Sequence, residues 1–547
     1  MVAVPRSLIP AESGNRHNSL FGRIARNSVV VLVSKIIDIT AALAIMMLLT
    51  RLLTTSRFGD FAFINAVVLA FQPLINLELN TLLIREMASN RSREAILLGG
   101  GLLLKIILIG GFITAAVILD GIMQFQPVIR ICFYLAIAAE VFQQITWVYS
   151  AVFMARERME FEPMLSLISR GIAVGGIILL MLVCPRHLFW STGLILIFCV
   201  LAAAQFARGI AGILVVRRFL DGFHIDWSPA VARDLFRHSW IMGIATFCTC
   251  LTLRIDVYFL KYFHGSETVA IFHLPHMYTL QIQILAVSIV TALFPVLSRW
   301  AGDAIDHQRF KRMQDFSIRV ITLFGLGIAL FTVFFPRWIV QVLGGSTYLP
   351  STAALVILAW CIPILFLNYL CTNLLITLKK QELLIYGAVI SLLINASLDM
   401  LWIPDHGIVG ASFATVIAYT SQLVVVLILL RIVTRSTLDL GRVIGLPWAI
   451  CLISAGMARW TEQWVEANAV TGIVIRLTLL IAVGLLLLAI QPKAIRIALI
   501  QSRRRVSLDW ASGVGQSYGV GDSSSESVSK DDRFGSGTPD AKTPFSS

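Results

Sequence analysis

Charge is scarce in this sequence. Asp, Glu, Lys and Arg make up 14% of its 547 residues, where a soluble domain carries about 25%. Hydrophobic residues make up 57%, and the mean hydropathy is +0.83. No water-facing fold buries that much apolar side chain. Also missing is the alternation of a membrane barrel, whose segments run to about 10 residues each; the apolar runs here are continuous and rich in Leu, Ile and Ala. Cysteine is sparse, and none of Cys132, Cys184, Cys199, Cys248, Cys250, Cys361, Cys371 and Cys451 belongs to a CxxC pair. That argues against metal, haem and disulfide frameworks. Cys248 and Cys250 have no His or carboxylate pattern to complete a site, so all eight read as apolar filler. The first 27 residues hold Arg6, Arg16, Arg23 and Arg26 and no apolar core. They do not form a cleavable leader, and the first apolar run is expected to be retained as an anchor.

What is present is a series of runs long enough to cross a bilayer, which takes roughly 20 residues of helix. Length and hydropathy predict an all-α integral membrane protein with about fourteen spans. They fall at 28–50, 59–79, 96–119, 127–153, 164–184, 190–216, 237–262, 266–297, 316–335, 351–377, 383–403, 408–431, 442–460 and 472–490.

The basic residues give an orientation. One set of alternate connections carries Arg85, Arg91, Arg93; Arg156, Arg158; Arg217, Arg218, Arg233, Arg237; Arg299, Arg309, Lys311, Arg312; Lys379, Lys380; and Arg431, Arg435, Arg442. The other set holds only Arg51, Arg57, Arg130, Arg186, Lys261, Arg337, Arg459 and Arg476. The positive-inside rule then places both termini in the cytoplasm. The net charge of +13 is explained by topology and contact with anionic lipid, not by nucleic-acid binding. The opposite loops are too short for a catalytic domain. The last stretch, "GVGQSYGVGDSSSESVSKDDRFGSGTPDAKTPFSS", reads as a disordered cytoplasmic tail.

Sliding the chain against itself by 211 residues brings "RNS" at Arg26–Ser28 onto "RHS" at Arg237–Ser239, and "FGDF" at Phe58–Phe61 onto "VAIF" at Val269–Phe272. Spans 1–6 and 7–12 are therefore expected to be two pseudo-symmetric six-helix lobes, a transporter pattern with the substrate site between the repeats. The expected organisation is a cytoplasmic segment 1–27, a first lobe 28–216, a linker 217–236, a second lobe 237–431, two extra helices within 432–490, and the tail 491–547.

A charge at mid-bilayer costs at least about 2.5–3.5 kcal/mol, so charges placed there face a cavity or a partner. Lys35, Lys105, Arg170 and Arg208 each lie 6–9 residues from a cytoplasmic helix end, roughly 9–14 Å deep, and Arg254 lies nearer the outer end of span 7. A cavity lined by these cations would attract an anionic head group; any one of them could equally snorkel. Lys35 and Asp38, at i and i+3, either pair or serve the cavity. Arg254 and Asp256 point to different faces and need partners elsewhere. Glu140, Asp256 and Asp399 are candidate proton or cation sites or structural hydrogen-bond acceptors, and His273 and His276 flank Pro275. Pro73, Pro275, Pro295 and Pro363 mark hinges or plain kinks.

Several stretches carry a resemblance: "TRLLTTSRFGDFAF", "LLIREMASN", "LRIDVYFLKYF", "LFPVLSRW", "LGGSTYLPSTAALVILAW" and "NASLDMLWIPDHGIVGASFATVIAYT". In order and spacing, over about residues 20–490, they resemble the polysaccharide transporter family. This family of O-antigen and capsule-repeat flippases belongs to the multidrug/oligosaccharidyl-lipid/polysaccharide flippase superfamily. Ala270 stands where the pattern often has Gly, and the Ser-rich tail lies outside the family core. The resemblance implies a two-lobed bundle in a bacterial cytoplasmic membrane, no enzyme, which moves an undecaprenyl-diphosphate-linked glycan from the inner to the outer leaflet by alternating access. Lys35, Lys105, Arg170, Arg208 and Arg254 would meet the diphosphate, and Asp38, Glu140 and Asp256 would orient them or couple transport to a proton or sodium ion. No other cofactor is implied. The expected state is a monomer in contact with membrane lipids, with a polysaccharide polymerase or chain-length regulator as a partner by pathway analogy. An ion-coupled multidrug or cation antiporter of the same superfamily and a lipid II flippase are the alternatives. The cationic cavity list favours the lipid-linked glycan.

Overall fold

The structure, a computed structural model, describes residues 35–156, 158, 161–184, 186–219, 225–302, 307–434, 445, 448–454, 456 and 469–489. The N-terminal segment, the start of span 1, much of span 13 and the tail lie outside these residues. Among the described residues the ordered elements are all helical: α1 (35–52), α2 (Thr55–Asn76), α3 (Leu79–Ser89), α4 (Glu94–Met123), α5 (Pro127–Ala155), α6 (Phe161–Val183), α7 (Arg186–Phe219), α8 (Pro229–Thr252), α9 (Ile255–Gly302), α10 (His307–Phe334), α11 (Pro336–Gly344), α12 (Ser351–Leu358), α13 (Cys361–Thr377), α14 (Leu384–Thr434), α15 (448–454) and α16 (Ala469–Ala489). The starts follow ordinary helix chemistry. Thr54 and Ser228 accept from the backbone N–H three residues on, at α2 and α8, and Pro127, Pro229 and Pro336 occupy first turns, where no N–H is needed.

Nine helical stretches among the described residues are long and apolar enough to cross a bilayer, so the chain is a multi-pass membrane protein. Two of these nine fold back on themselves. α14 has 51 residues, about 77 Å of helix and more than twice the hydrocarbon thickness. It reverses at Gly407 (φ 51°), as α9 does at Gly265 (φ 81°). Both corners need the left-handed region open to glycine. His264 Nε2 and the Ile403 carbonyl oxygen, 2.7 Å apart, pin one corner to the other. The corner at Gly265 falls between the expected spans 7 and 8. Fourteen spans are not counted within the described residues.

Three spans that the sequence presents as continuous are broken. Span 2 breaks at Leu77 and Glu78, which take φ of 45° and 56°. Span 7 turns at Leu253–Arg254, and span 10 at Ala359–Trp360. Local bonds recover part of the ladder: Leu77 N–H donates to Pro73 O at 2.7 Å, Val257 N–H to Arg254 O at 3.1 Å, and Ile362 N–H to Ala359 O at 3.2 Å. Such breaks persist in a membrane where protein covers them.

The second half of the chain repeats the helix order of the first. An offset of 211 residues carries the end of α4, Met123, onto the end of α10, Phe334; beyond it the offset grows to 224 at Pro127 and Ser351. The difference is α11, inserted between the counterparts of α4 and α5. In the first half α5 and α6 pack on α7; α2 packs on α5 and also crosses to α8 and α9 of the second half. The main core draws on both halves, through Phe58, Ile64, Phe198, Phe272, Leu355 and Phe366. The outward faces of α4, α6 and α14 are apolar, with Ile122, Leu182 and Leu401 more than two-thirds exposed, as hydrocarbon contact requires. Five cysteines, Cys132, Cys248, Cys361, Cys371 and Cys451, are buried and free.

One end of the bundle, at the α3–α4, α5–α6 and α7–α8 connections, carries Arg85, Arg91, Arg93, Arg156, Arg158, Arg217, Arg218, Arg233 and Arg237 and is here termed the basic end. At the opposite end the two halves are clasped. Lys261 Nζ stands 2.6 Å from Asp60 Oδ1, and Ser266 Oγ donates to the same oxygen at 2.7 Å. Thr50 Oγ1 donates to the Leu343 carbonyl at 2.9 Å.

Candidate functional site

A cavity of about 340 Å³ lies between the helices of the first half and α9. Its polar wall comes from Asn65 of α2, Glu140 and Gln143 of α5, Arg170 of α6, Gln205 of α7 and His273 of α9. Gln205 Nε2 donates to Gln143 Oε1 at 3.1 Å, and Asn65 Nδ2 to the Phe61 carbonyl at 2.9 Å. These side chains sit inside helices that are otherwise apolar, so they form a polar wall in a chamber whose remaining lining is apolar, with Met46, Phe61, Phe198 and Leu201. Its size falls in the range of small-ligand sites. The amides offer both donors and acceptors, and Arg170 adds one cation with a planar donor fork.

The expected cavity cations are placed differently from one another. Arg170 lines the chamber. Its Nε lies 3.5 Å from Asp38 Oδ1, Ser166 Oγ donates to that oxygen at 2.6 Å, and Lys35 Nζ stands 3.8 Å from Asp38 Oδ2. Asp38 is thus shared by two cations and ties α1 to α6. Arg170 and Lys35 are each 40% exposed at the side chain. Lys105 is buried behind the wall and donates from Nζ to Asn76 Oδ1 at 2.8 Å. Arg208 pairs with Glu162 at 2.5 Å, and Glu162 also accepts from Ser150, which joins α5, α6 and α7 toward the basic end. Arg254 sits in the turn between α8 and α9, near Cys250, Tyr258 and Tyr419. Its Nη1 has no hydrogen-bond partner among the described residues.

Asp256 belongs to a second site, in the other half. It is fully buried. Asn395 Nδ2 donates to its Oδ1 at 2.6 Å, and Thr415 Oγ1 lies 2.7 Å from its Oδ2. Asp399 stands beside it. Asn395 Oδ1 and both carboxyl oxygens of Asp399 meet no donor among the described residues, and the carbonyls of Thr252 and Ala411 border the group. Asp256, Asp399, Asn395 and Thr415 together present more acceptor oxygens than donors. The cluster's carboxylate, amide and hydroxyl oxygens suit a small hard cation such as sodium, or a proton shared by the two carboxyls, while the amide nitrogen of Asn395 is spent as a donor to Asp256 and the Thr252 carbonyl. Among the described residues no group of three or more His, Cys, Asp or Glu is placed to hold a metal ion.

Glu140 lines the cavity and accepts from Gln144 Nε2 at 2.5 Å. His273 meets the Phe58 ring edge-on at 5.7 Å, and His276 stacks on Phe272 at 5.4 Å. Sequence reasoning centred on charges missed the neutral members: Asn65, Gln143 and Gln205 in the chamber, Asn395 and Thr415 in the oxygen cluster. The signal was an amide or hydroxyl at mid-span in an apolar run.

Comparison with known proteins agrees with this architecture. The family described as polysaccharide biosynthesis protein matches residues 24–301, and the family described as MatE matches residues 242–401. The chain is 27% identical over 223 residues to an uncharacterized membrane protein of Methanocaldococcus jannaschii, which is 38% of this chain and 42% of that protein. The chain therefore matches less than half the length of that relative. Among solved structures it is similar to the lipid II flippase MurJ in an inward closed conformation (TM-score 0.63, 14% identity, 85% of this chain and 98% of that one). It is also similar to an inward-facing multidrug resistance transporter of the MATE family (TM-score 0.59, 11% identity, 75% and 99%). A third likeness is a transporter of the same superfamily from Pyrococcus furiosus, described as having a binding pocket of reverse polarity (TM-score 0.56, 14% identity, 76% and 96%). At these identities the structures show a shared fold. With the family match over half its length, the chain belongs to the polysaccharide biosynthesis protein family, within the superfamily of multidrug transporters and lipid-linked glycan flippases.

Proposed function

We propose that this protein flips an undecaprenyl-diphosphate-linked oligosaccharide from the cytoplasmic to the outer leaflet of a bacterial inner membrane, as a step in O-antigen or other extracellular polysaccharide assembly. The observation that carries this reading is the chamber itself, where amides and one arginine, beside Glu140 and His273, line a cavity inside an apolar bundle. Amides suit sugar hydroxyls, and Arg170 suits a phosphate. The lipid tail stays in the bilayer. Carrying two phosphate charges through bare hydrocarbon is prohibitive, and the chamber replaces part of their hydration. The basic end faces the cytoplasm by the positive-inside rule, with both termini on that side. The clasp of Asp60, Lys261 and Ser266 then closes the outer end, and transport requires it to part. The oxygen cluster around Asp256 couples that opening to sodium or a proton. The protein acts as a monomer and hands its product to a polymerase or chain-length regulator.

One observation favours a second reading. Glu140 in the chamber wall suits a cationic drug, as in an ion-coupled antiporter. Thermal unfolding of the purified protein separates the two, because a ligand that binds only the folded state raises the transition by mass action. Undecaprenyl-diphosphate oligosaccharide is expected to raise it, and Arg170→Gln to weaken that rise. Stabilisation by quaternary ammonium compounds alone would replace the flippase reading with the antiporter.

A further inference from the structure

The internal repeat is interrupted at one place by added structure. In the first half residues 124–126 alone join α4 to α5. In the second half the matching join, from α10 to α12, is built from α11 and a turn at Ser346–Tyr348. The repeat itself does not require this addition. It borders a second cavity of about 450 Å³, whose lining shares no residue with the chamber.

The lining comes from the end of α10, from α11 and from the start of α12. Val333, Pro336, Leu349 and Val356 make it largely apolar, and Arg337 and Thr352 supply its polar side chains. Thr352 Oγ1 donates to the Leu349 carbonyl at 2.6 Å, which leaves the oxygen able to accept. No carboxylate lines the cavity, and Arg337 makes no ion pair among the described residues. The walls are fixed from behind. Tyr348 is buried and meets the Phe58 ring edge-on at 5.9 Å. Ser351 Oγ donates to the Ile271 carbonyl of α9 at 2.7 Å. Val333 and Val356 pack with Val483 and Leu487 of α16, and Arg476 of α16 donates to the Phe334 carbonyl at 3.0 Å. A cleft held this way is preformed, so a ligand there orders little of the chain.

α11 has two faces. Ile339, Val340 and Leu343 are buried, whereas Arg337, Trp338 and Gln341 are exposed, Trp338 by 59%. An exposed tryptophan beside an arginine, on a short helix apolar on its other side, is the make-up of an element at the membrane–water boundary.

We propose that this cavity binds one anionic glycerophospholipid of the outer leaflet, with the chemistry of phosphatidylglycerol. The phosphodiester sits on the Arg337 guanidinium, whose planar fork matches phosphate oxygens. A headgroup hydroxyl donates to Thr352 Oγ1, and the first acyl carbons lie on Val333 and Val356. An ammonium headgroup would find no carboxylate in the lining, which selects against a zwitterionic lipid. The lipid is held there, not moved. It braces α11, whose Leu343 carbonyl takes Thr50 Oγ1 of α1. The site lies outside the transport reading, and only its side of the membrane rests on that reading.

The test uses the full chain in nanodiscs that contain a photoactivatable phosphatidylglycerol, with the crosslinked peptides mapped by mass spectrometry. The expected result is labelling within residues 333–356 that unlabelled phosphatidylglycerol competes away and phosphatidylcholine does not. Arg337→Gln is expected to lower this labelling about tenfold or more. Ala353→Phe, which fills the cavity from a second exposed position, should do the same with Arg337 in place. Arg91→Gln, exposed at the basic end, should leave it unchanged. Labelling that persists in either cavity variant, or equal competition by phosphatidylcholine, would mean only the lipid that surrounds any membrane protein and would overturn the site. Labelling abolished by inorganic phosphate alone would assign Arg337 to a free anion and overturn the lipid. Failure of glycolipid transfer with the labelling intact would overturn the flippase reading and leave the lipid site standing.

Discussion

At the scale of single residues, contact distances decide which side chains are sensitive. Gly59 is one. A methyl group there would lie 1.8 Å from the carbonyl oxygen of Ser266, which is backbone and cannot rotate away. Gly59→Ala is expected to force α2 and α9 apart at about 1–3 kcal/mol, read as a lower thermal transition in detergent. Arg208 is another. Its side chain is 10% exposed and Glu162 is its carboxylate, so Arg208→Met leaves that carboxylate partly buried and unpaired. A loss of about 3 kcal/mol is expected, and Glu162→Gln introduced into Arg208→Met should recover part of it. For these charges the sequence sets an expected depth but no direction. Distance from a helix end gives depth at a fixed rise per residue, so Lys105, Arg170 and Arg208 were expected at one level. Which way each points depends on rotation about the helix axis. A helix apolar on every side gives no stripe to orient it, and so only Arg170 of these three lines the chamber.

At the scale of elements, α2 makes the strongest claims. It touches the second half at Asp60 near one end and, through Leu77 and Glu78, at the other. Any opening of the cavity at the clasped end must part Asp60 from Ser266. In a background without the natural cysteines, oxidation of an Asp60→Cys, Ser266→Cys pair is expected to stop transport, and reduction to restore it; transport that continues with the bond formed would show that this end need not open. The helix ends were legible in part. Pro127 opens both the expected span and α5, and the corner at Gly265 sits between two runs, whereas α8 begins at Pro229, eight residues before the expected span. The breaks at 77–78, 253–254 and 359–360 were not legible, because each falls inside an expected span and no Pro or Gly marks it, although Glu78 and Arg254 lie at two of them. Tertiary cover, not local sequence, makes them tolerable. α11 escaped notice for a simpler reason, since nine residues are too few to register as a span.

At the scale of the whole molecule, the bilayer crossing and the internal repeat were readable because both are properties of long segments. The 211-residue offset survives in the helix ends as far as Phe334, where the inserted α11 lengthens it. The oxygen cluster was half readable. Asp256 and Asp399 stood out as charges in apolar runs, but Asn395 and Thr415 join them only once α8, α9 and α14 pack. If the cluster couples transport to an ion, Asp256→Asn should remove the dependence of transport on a sodium or proton gradient while glycolipid binding persists. The most direct test of the central claim is transfer between leaflets. The purified protein is reconstituted in liposomes with a fluorescent undecaprenyl-diphosphate oligosaccharide, and the fraction open to an external quencher is followed over time. The chamber predicts protein-dependent transfer that Arg170→Gln slows about tenfold or more. Glycolipid that stays in its own leaflet with every gradient applied, in vesicles where a quaternary ammonium dye does cross, would contradict it.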